Sequence, residues 1–306
     1  MRPPFQSRHH DYVLTPNLNG QVKSALTSVA PGQILTGVPL VLDSDAPFLL
    51  RSIAVRCKYN SSRQQNGLEG LLFRFTGPDL NYMQQDMVPA SLWLPYFGQG
   101  GSPKPLMKEK AYPPLGVINV DIQNTSDETL SNLTFYFRGV KLFPWGARPD
   151  WTYPRVMSTL NFDYPLTVSQ LPVTTVPTGL RQVFTVKPDA DFVIRGGQAG
   201  LPWNPAATYE VFVTLRDYDL KPYSNHPVHV DVLFGNAVMS QAYACGTSFL
   251  APVGTGGTHP GLIYPEIYLP KNQILYLDVV RQDASFTGTA AVDYLIQLMG
   301  AKVFPK

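Results

Sequence analysis

The sequence predicts an all-β protein of two tandem jelly-roll or β-sandwich domains that follow an extended N-terminal arm. Three observations support this prediction: a sequence echo between the two halves, a composition rich in proline and glycine, and apolar residues that alternate with period two. At 306 residues the chain is about twice the length of a typical domain, which suits two copies of one fold.

The echo joins three segments of the first half to three segments of the second half in the same order. Residues 137–144 match 298–305, residues 42–51 match 186–195, and Val120-Asp121-Ile122 matches Leu277-Asp278-Val279. Such an ordered set of matches predicts an internal duplication. The identical residues are Gly139, Lys141, Phe143 and Pro144 with Gly300, Lys302, Phe304 and Pro305, and Asp45, Ala46, Phe48 and Arg51 with Asp189, Ala190, Phe192 and Arg195.

The composition favours strands and turns over helices. The chain has 29 prolines and 24 glycines, and only 15% of its residues are charged. Many short strands joined by turns are typical of such a composition. The formal net charge is +2 without a long run of Lys or Arg, so no nucleic-acid footprint is evident. The longest basic cluster, Lys104 to Lys110, is predicted to be a solvated loop.

The first half contains the predicted arm and the first domain. Residues 1–20 are polar and lack periodicity, so we expect an extended arm that becomes ordered against a neighbour. Residues 21–147 form the first predicted domain. Its predicted strands cover 49–57, 71–75, 117–122 and 133–138, and Leu133, Phe135 and Phe137 alternate with polar or exposed positions. Residues 81–87 could form one or two helical turns at most.

The second half repeats this organisation after a Pro-rich connector, residues 148–178. The second domain, residues 179–306, has period-two patterns at 211–216, 228–233, 275–280 and 292–299. About eight strand-like runs in each copy predict a jelly roll, with a simple β-sandwich as the neighbouring option.

Cysteine content and hydropathy suggest the compartment. Cys57 and Cys245 occupy non-equivalent places in the two copies, so no disulfide is expected and intracellular synthesis is favoured. The first residues do not resemble a signal peptide, and no run of about 18 apolar residues is present. We therefore expect a soluble protein without a membrane partner.

The histidines do not predict a metal site. His226 and His229 are three residues apart, and on a strand such positions point to opposite faces. His9 and His10 belong to the predicted arm, and His259 lies in a Gly-rich loop. We interpret these side chains as surface imidazoles.

The remaining polar motifs also have simpler interpretations than catalysis. Asp217 and Asp219 could chelate a hard cation such as calcium, but a solvated turn is the preferred interpretation. Residues 254–261 are Gly-rich, yet no helix follows them, so a phosphate-binding loop is not predicted. No Gly-x-Ser-x-Gly motif is present, and neither cysteine has a nearby histidine. The sequence predicts no catalytic, cofactor-binding or metal-binding residue, and hence no enzyme.

Aromatic residues beside proline and glycine are the more persistent feature of the predicted loops and linkers. Such residues suit contact surfaces, either to other subunits or to sugar rings. They are Trp93, Tyr96, Phe97, Trp145, Trp151, Tyr153, Trp203 and Tyr223.

Several phrases of the first half resemble virion structural proteins of tailed bacteriophages, which are usually β-rich and have no enzymatic role. The tandem arrangement also resembles the double jelly-roll major capsid proteins of tailless icosahedral viruses, and both resemblances stay open. The phrases are Phe73-Arg74-Phe75-Thr76-Gly77-Pro78, Val88-Pro89, Trp93, Tyr112-Pro113-Pro114, Val120-Asp121-Ile122 and Arg138-Gly139-Val140-Lys141.

These resemblances imply a structural component of a virus particle: a capsid, decoration or neck protein that self-assembles. Its expected partners are copies of itself and other virion proteins, and its expected location is the virion after synthesis in the host cytoplasm. The alternative is a carbohydrate-binding β-sandwich module of a host-attachment apparatus, which the loop aromatics together with Asp217 and Asp219 would favour.

Overall fold

The computed structural model describes residues 5–14, 28–59, 70–90, 104–147, 156–171, 180–200, 211–234, 261–281 and 292–305. Within these ranges the chain is almost entirely β-strand, with one short helix, α1, at Val230–Phe234. The described residues up to Trp145 form one compact unit, and those from Gly146 onward form a second. The predicted all-β class is confirmed.

The first unit is an eight-stranded jelly roll. Two four-stranded sheets have the orders β1-β8-β3-β6 and β2-β7-β4-β5, and every pairing is antiparallel. This order places the first strand beside the last, as a jelly roll requires. The strands are β1 Phe5–Leu14, β2 Ile34–Val41, β3 Phe48–Tyr59, β4 Leu71–Phe75, β5 Val88–Pro89, β6 Lys104–Tyr112, β7 Val117–Asn124 and β8 Leu130–Pro144.

The second unit has the same strand order. Its sheets are β9-β16-β11-β14 and β10-β15-β12-β13, which is the first unit with eight added to each strand number. The common topology is observed, whereas an origin by duplication stays a prediction. The strands are β9 Val156–Leu171, β10 Leu180–Thr185, β11 Asp191–Gly200, β12 Val211–Arg216, β13 Val228–His229, β14 Gly261–Leu269, β15 Ile274–Arg281 and β16 Val292–Pro305.

Each core forms where the inward faces of two sheets meet. In the first unit the Phe73 and Phe75 rings of β4 lie 5.5 and 5.9 Å from those of Phe135 and Phe137 on β8. Each of these four side chains is at most 1% exposed, and full burial of one such side chain stabilises a fold by about 1.5–3 kcal/mol. In the second unit Tyr164 of β9 bridges the sheets by packing 4.7 Å from Phe184 of β10.

Two predicted boundaries differ from the structure. The predicted arm, residues 1–20, contains β1, which pairs with β8 over ten consecutive residues. The predicted connector, residues 148–178, contains β9, which pairs with β16. Both are edge strands, where polar side chains and a proline such as Pro165 are tolerated, so period-two alternation is weak there.

Two local predictions are also wrong. Residues 230–233 were predicted as strand from their period-two pattern, but they begin α1. Val230, Val232 and Leu233 are all buried, and so short a segment does not distinguish a helix from a strand. The Lys104–Lys110 cluster lies in β6, an edge strand on which lysines discourage pairing with other chains. Residues 81–87 form bends and an isolated bridge, which is within the predicted limit of one or two helical turns.

Candidate functional site

The matching residues of the sequence echo lie at equivalent positions of the two units. Gly139 pairs with Leu50 and Gly300 pairs with Ile194, at matching positions of the last strand. A Cβ atom at either glycine would overlap a neighbouring carbonyl oxygen, that of Leu49 or of Val193. Glycine is therefore required where strand backbone and an aromatic ring approach so closely.

A lysine and a tyrosine support the same corner of each unit. Lys141 Nζ lies 2.8 Å from Asp45 Oδ1, and Lys302 pairs in the same way with Asp189. The Tyr12 hydroxyl accepts a hydrogen bond from the Asp43 N–H at 2.9 Å. The equivalent Tyr164 hydroxyl accepts one from the Lys187 N–H at 3.3 Å, so these groups hold the turn after the second strand of each unit.

A bulge with an arginine recurs in the third strand of each unit. The register shifts at Arg51 in β3 and at Arg195 in β11. Arg51 Nε is 2.7 Å from Glu109 Oε1, and Arg195 Nε is 2.9 Å from Glu266 Oε1. The bulge turns each arginine toward the neighbouring edge strand. These ion pairs therefore link two adjacent strands of the sheet.

Two equivalent turns present leucine side chains to solvent; we call residues 77–81 and 217–221 the leucine turns. Leu80 and Leu220 both have φ of 64° and are 64% and 44% exposed. In the first turn the Gly77 N–H donates to the Asn81 carbonyl at 2.7 Å, and in the second the Asp217 N–H donates to the Lys221 carbonyl at 3.0 Å. The same backbone conformation therefore occurs in both units.

A leucine in this conformation costs stability. Left-handed backbone is unfavourable by about 1–2 kcal/mol for residues with a Cβ, and glycine or asparagine usually occupies it. An exposed leucine also gains little from packing within the unit. Both leucine turns therefore combine backbone strain with an exposed apolar side chain.

The first unit has a further exposed leucine at the same end. Leu115, in the turn between β6 and β7, has φ of 58° and is 63% exposed. The Tyr112 hydroxyl, at the start of that turn, donates to the Thr76 carbonyl at 2.9 Å beside the first leucine turn. The equivalent residue of the second unit is Asn272, with φ of 62°, an ordinary choice for this conformation.

A turn at Asp217 and Asp219 was predicted from the sequence, but the exposed leucines, Leu80 and Leu220, were missed. The available signal was an Asp-Leu pair, Asp79-Leu80 and Asp219-Leu220, shortly after equivalent strands. Residue propensity predicts neither the positive φ nor the outward direction of the leucine, because both follow from the hydrogen bonds of the folded turn.

Asp217 has a structural role in its turn. Its carboxylate is buried, and Oδ1 accepts the N–H groups of Asp219 at 3.0 Å and of Lys221 at 2.9 Å. The predicted turn is present, but the Asp217 side chain is not solvated. Among the residues that the structure describes, no group of three or more His, Cys, Asp and Glu side chains is placed to hold a metal ion.

The histidines are less exposed than predicted. His9, His10 and His229 are each at most 4% exposed, and His229 packs edge-on against Phe212 with ring centroids 5.2 Å apart. The prediction of surface imidazoles is therefore wrong for these three residues. All three histidines lie in β-strands that are covered on both faces. The polar residue type alone does not predict this burial.

An aspartate lies on the outward face of the second sheet in each unit. Asp121 accepts hydrogen bonds from Arg74 Nε at 2.8 Å and from the Gly37 N–H at 2.7 Å. Asp278 is bound by Arg181 and Arg216, each at 2.6 Å. Burial by itself raises the pKa of both carboxyls, but these hydrogen bonds outweigh it and leave each pKa below the ordinary value.

Few of the predicted loop aromatics lie within the described residues. Trp145 is 40% exposed, whereas Tyr223 is buried. Residues 254–260, with His259, and Cys245 also lie outside the described ranges, whereas Cys57 is a buried free thiol. The aromatics outside those ranges are Trp93, Tyr96, Phe97, Trp151, Tyr153 and Trp203.

No protein-family model matches this sequence, and no curated protein does. In the described ranges no helix is long and apolar enough to cross a bilayer.

Some solved structures show a distant likeness. The tandem CBM22-1–CBM22-2 domain of Paenibacillus barcinonensis Xyn10C is 10% identical, with 98% of this chain and 93% of that chain covered and a TM-score of 0.19. The infectious bursal disease virus Gx strain is 10% identical, with coverage of 99% and 78% and a TM-score of 0.22. The T=1 Penaeus vannamei nodavirus is 12% identical, with coverage of 98% for both chains and a TM-score of 0.18. At such TM-scores these likenesses carry no argument about function.

Proposed function

We propose that this protein is a structural component of a virus particle that acts by self-assembly and by contacts with other particle proteins. The observation that carries the proposal is the leucine turn, which both units retain with the same strained backbone and an exposed apolar side chain. The jelly roll is an architecture of viral capsid domains as well as of lectins and cupins, and capsid use requires contacts between subunits.

The proposed mechanism is burial of surface between subunits. A specific interface buries about 800 Å² on each partner, and a closed assembly repeats the same contacts by symmetry. Each buried leucine would contribute about 1.5–3 kcal/mol to such a contact. In this proposal the protein resides in the virion, as a capsid, decoration or neck protein of a bacteriophage or a related virus, and does not turn over a substrate.

The first test compares the assembly of the wild type with that of a Leu80→Asn/Leu220→Asn double variant. Asparagine keeps the turn conformation but removes the apolar contact. We expect oligomers or shells of the wild type in light scattering after size exclusion and in negative-stain images. We expect the double variant to require at least about tenfold higher concentration for the same association, from the loss of about 1.4 kcal/mol or more.

The matched control is Val41→Thr/Val183→Thr. These two valines are 57% and 55% exposed, and neither has a positive φ. We expect this control to assemble like the wild type. A wild type that stays monomeric at high concentration would refute self-assembly, and unchanged assembly of the leucine variant would exclude the leucine turns as contacts.

The second candidate function is carbohydrate binding, which one arrangement favours. Tyr82 is 42% exposed, and the Arg74 guanidinium lies 3.9 Å from its ring centroid on the outward sheet face beside Asp121. Aromatic rings next to charged hydrogen-bonding groups suit sugar rings. A glycan array with and without calcium tests this candidate, and binding that Tyr82→Ala abolishes would support it. No binding in either condition would remove it.

A further inference from the structure

The strand β1 carries an unusual set of buried charged residues. It is the edge strand of its sheet, and within the described residues it pairs only with β8. Arg8, His9, His10 and Asp11 follow one another in β1, and all four are at most 6% exposed. Alternation places Arg8 and His10 on the face that Tyr12 shares with the core, and His9 and Asp11 on the other face.

On the inward face of β1, His10 shares a carboxylate with Lys141. His10 Nε2 lies 3.6 Å from Asp43 Oδ2, and its ring packs edge-on to Tyr12 at 4.5 Å. Lys141 Nζ lies 2.5 Å from the same Asp43 oxygen and 2.8 Å from Asp45 Oδ1. Lys141 thus already uses both carboxylates, and Arg8 lies directly opposite it in the register.

The outward face adds further charges near the strand. Asp11 lies 3.1 Å from Arg138 Nε and 3.2 Å from His9 Nε2. Burial alone would raise the pKa of Asp11, but Arg138 and His9 outweigh it and keep this carboxyl ionised. For His10, burial lowers the pKa first, and the charges of Lys141 and Arg8 lower it further, against an opposing effect of Asp11.

The second unit shows that a jelly roll does not need this arrangement. Phe162 pairs with Gly300 as His10 pairs with Gly139, and Leu160 pairs with Lys302 as Arg8 pairs with Lys141. The lysine–aspartate pair is present in both units. The titratable histidine and the additional arginine therefore belong to the first unit alone at these positions.

We propose that β1 is an acid-releasable strand: protonation of His10 detaches it from β8 and opens that edge of the first sheet. A proton on His10 would place a further positive charge at a buried site beside Lys141, which already engages the carboxylates of Asp43 and Asp45. In the released strand the imidazole is hydrated, and its pKa is then the ordinary histidine value of about 6.5. The inference concerns the first unit itself, so it holds or fails independently of the proposed assembly.

The direction of the pH effect follows from proton linkage. A histidine that is neutral in the folded state and has an ordinary pKa of about 6.5 when released favours release as the pH falls below that value. With one proton taken up, the equilibrium constant for release rises about tenfold for each pH unit below 6.5, until the folded state also binds the proton. Above pH 7 the strand stays in the sheet.

Hydrogen–deuterium exchange of the full-length protein between pH 8 and pH 5, corrected for the intrinsic exchange rate, tests the proposal. We expect protection of the β1 amides to fall about tenfold per pH unit below 6.5 in the wild type. The His10→Phe variant, which copies Phe162, should keep its protection over this range. The His9→Asn control should lose protection as the wild type does.

A second variant and a direct titration keep the test decisive if His10→Phe does not fold. His10→Gln is polar and neutral at every pH, and it should also remove the pH dependence. The His10 ring, followed by NMR, should titrate below the ordinary histidine value of about 6.5. Unchanged protection of wild-type β1 at pH 5, equal loss in both His10 variants, or titration at or above 6.5 would overturn the proposal.

Discussion

At the scale of single residues, the two glycines of the last strands show how closely the backbone packs. A methyl group on Gly139 would lie 2.9 Å from Cζ of Phe48, and one on Gly300 would lie 3.0 Å from Cζ of Phe192. The rings that cover these glycines in turn pack against Tyr12 and Tyr164, at 4.8 Å in both units. Each glycine thus makes room for an aromatic pair.

We expect Gly139→Ala and Gly300→Ala each to lower the free energy of unfolding by about 3 kcal/mol, because a methyl group forces strand and ring apart. Urea denaturation measures the change. The control is Ala301→Gly, the next residue of β16, which removes one buried methyl group and should cost about 1 kcal/mol. Equal losses in the glycine variants and the control would contradict this account of close packing.

At two positions the residue type is not the one that would give the most stable turn. Leu80 and Leu220 occupy a backbone conformation that asparagine or glycine would adopt with less strain. Asn272 demonstrates the ordinary solution at an equivalent kind of turn in the same chain. Leu115, the counterpart of Asn272, has a similar positive φ and exposure to the two leucines. The proposed contacts between subunits would explain why leucine is tolerated at these positions.

At the scale of elements, the two leucine turns reach one conformation with different side chains. In the second turn the buried Asp217 carboxylate accepts two backbone N–H groups. The equivalent position of the first turn is Gly77, and there Asp79 Oδ1 accepts the Asn81 N–H at 3.3 Å. The backbone hydrogen bonds define the turn, and the side chains reinforce it.

We expect Asp217→Ala to lower the free energy of unfolding by about 1–3 kcal/mol, because the N–H groups of Asp219 and Lys221 lose their acceptor. Thermal or urea unfolding measures this loss. The exposed neighbour provides the control: Asp219→Ala should change stability by no more than about 0.5 kcal/mol.

The same variants separate a structural role of Asp217 from calcium binding. If the carboxylate is committed to the turn, added calcium should leave the melting temperature of the wild type unchanged. A calcium-dependent rise that Asp219→Ala removes would indicate a bound ion, since a ligand of the folded state stabilises it by mass action. That outcome would strengthen the carbohydrate-binding candidate.

At the scale of the whole molecule, one strand order occurs twice with different ionic groups. The aspartate at the middle of the second sheet is common to both units, and in each unit an arginine of the equivalent strand, β4 or β12, binds it. Arg74 of β4 serves Asp121, whereas Arg181 of β10 and Arg216 of β12 serve Asp278. The position of the carboxylate and the strand of one arginine are thus common to both units, while the second unit adds Arg181 of β10.

These two aspartates predict a loss of stability in acid that is distinct from the effect of His10. Their pKa values lie below the ordinary value when folded, so their contribution is full above about pH 4 and is lost as the pH falls further. Asp121→Asn and Asp278→Asn should each cost about 1–2 kcal/mol at pH 7. The cost should be smaller at pH 2.5 than at pH 7, because the folded carboxyls begin to bind protons as the pH falls.

Urea midpoints at pH 7, 4.5 and 2.5 measure these differences. Asp127 is exposed and belongs to neither aspartate–arginine ion pair, so Asp127→Asn is the control for the loss of one carboxyl group. This variant should show the same pH dependence of stability as the wild type. A cost of Asp121→Asn or Asp278→Asn that stays the same at pH 2.5 as at pH 7 would show that ionisation of the carboxylate is not its source.

Much of the fold was predictable because both of its signals are local or repeated. Alternation such as Leu133, Phe135 and Phe137 requires only that one face of a strand is buried. The echo around Gly139 and Gly300 was visible because the same close packing requires glycine in both units. The candidate site was not predictable, since the repeated Asp-Leu pair at 79–80 and 219–220 specifies neither a positive φ nor an exposed leucine.

The sequence by itself determined that the chain is all-β and that its halves share one plan, because period-two burial and repeated packing requirements are properties of residue types. Only the tertiary structure decided that residues 5–14 enter the first sheet, since Asp11 finds its partner Arg138 at a distance of 127 residues along the chain. The same holds for α1, whose Phe234 packs over Gly197 of β11. Where the partner is remote, the polarity of a segment does not tell whether it is buried.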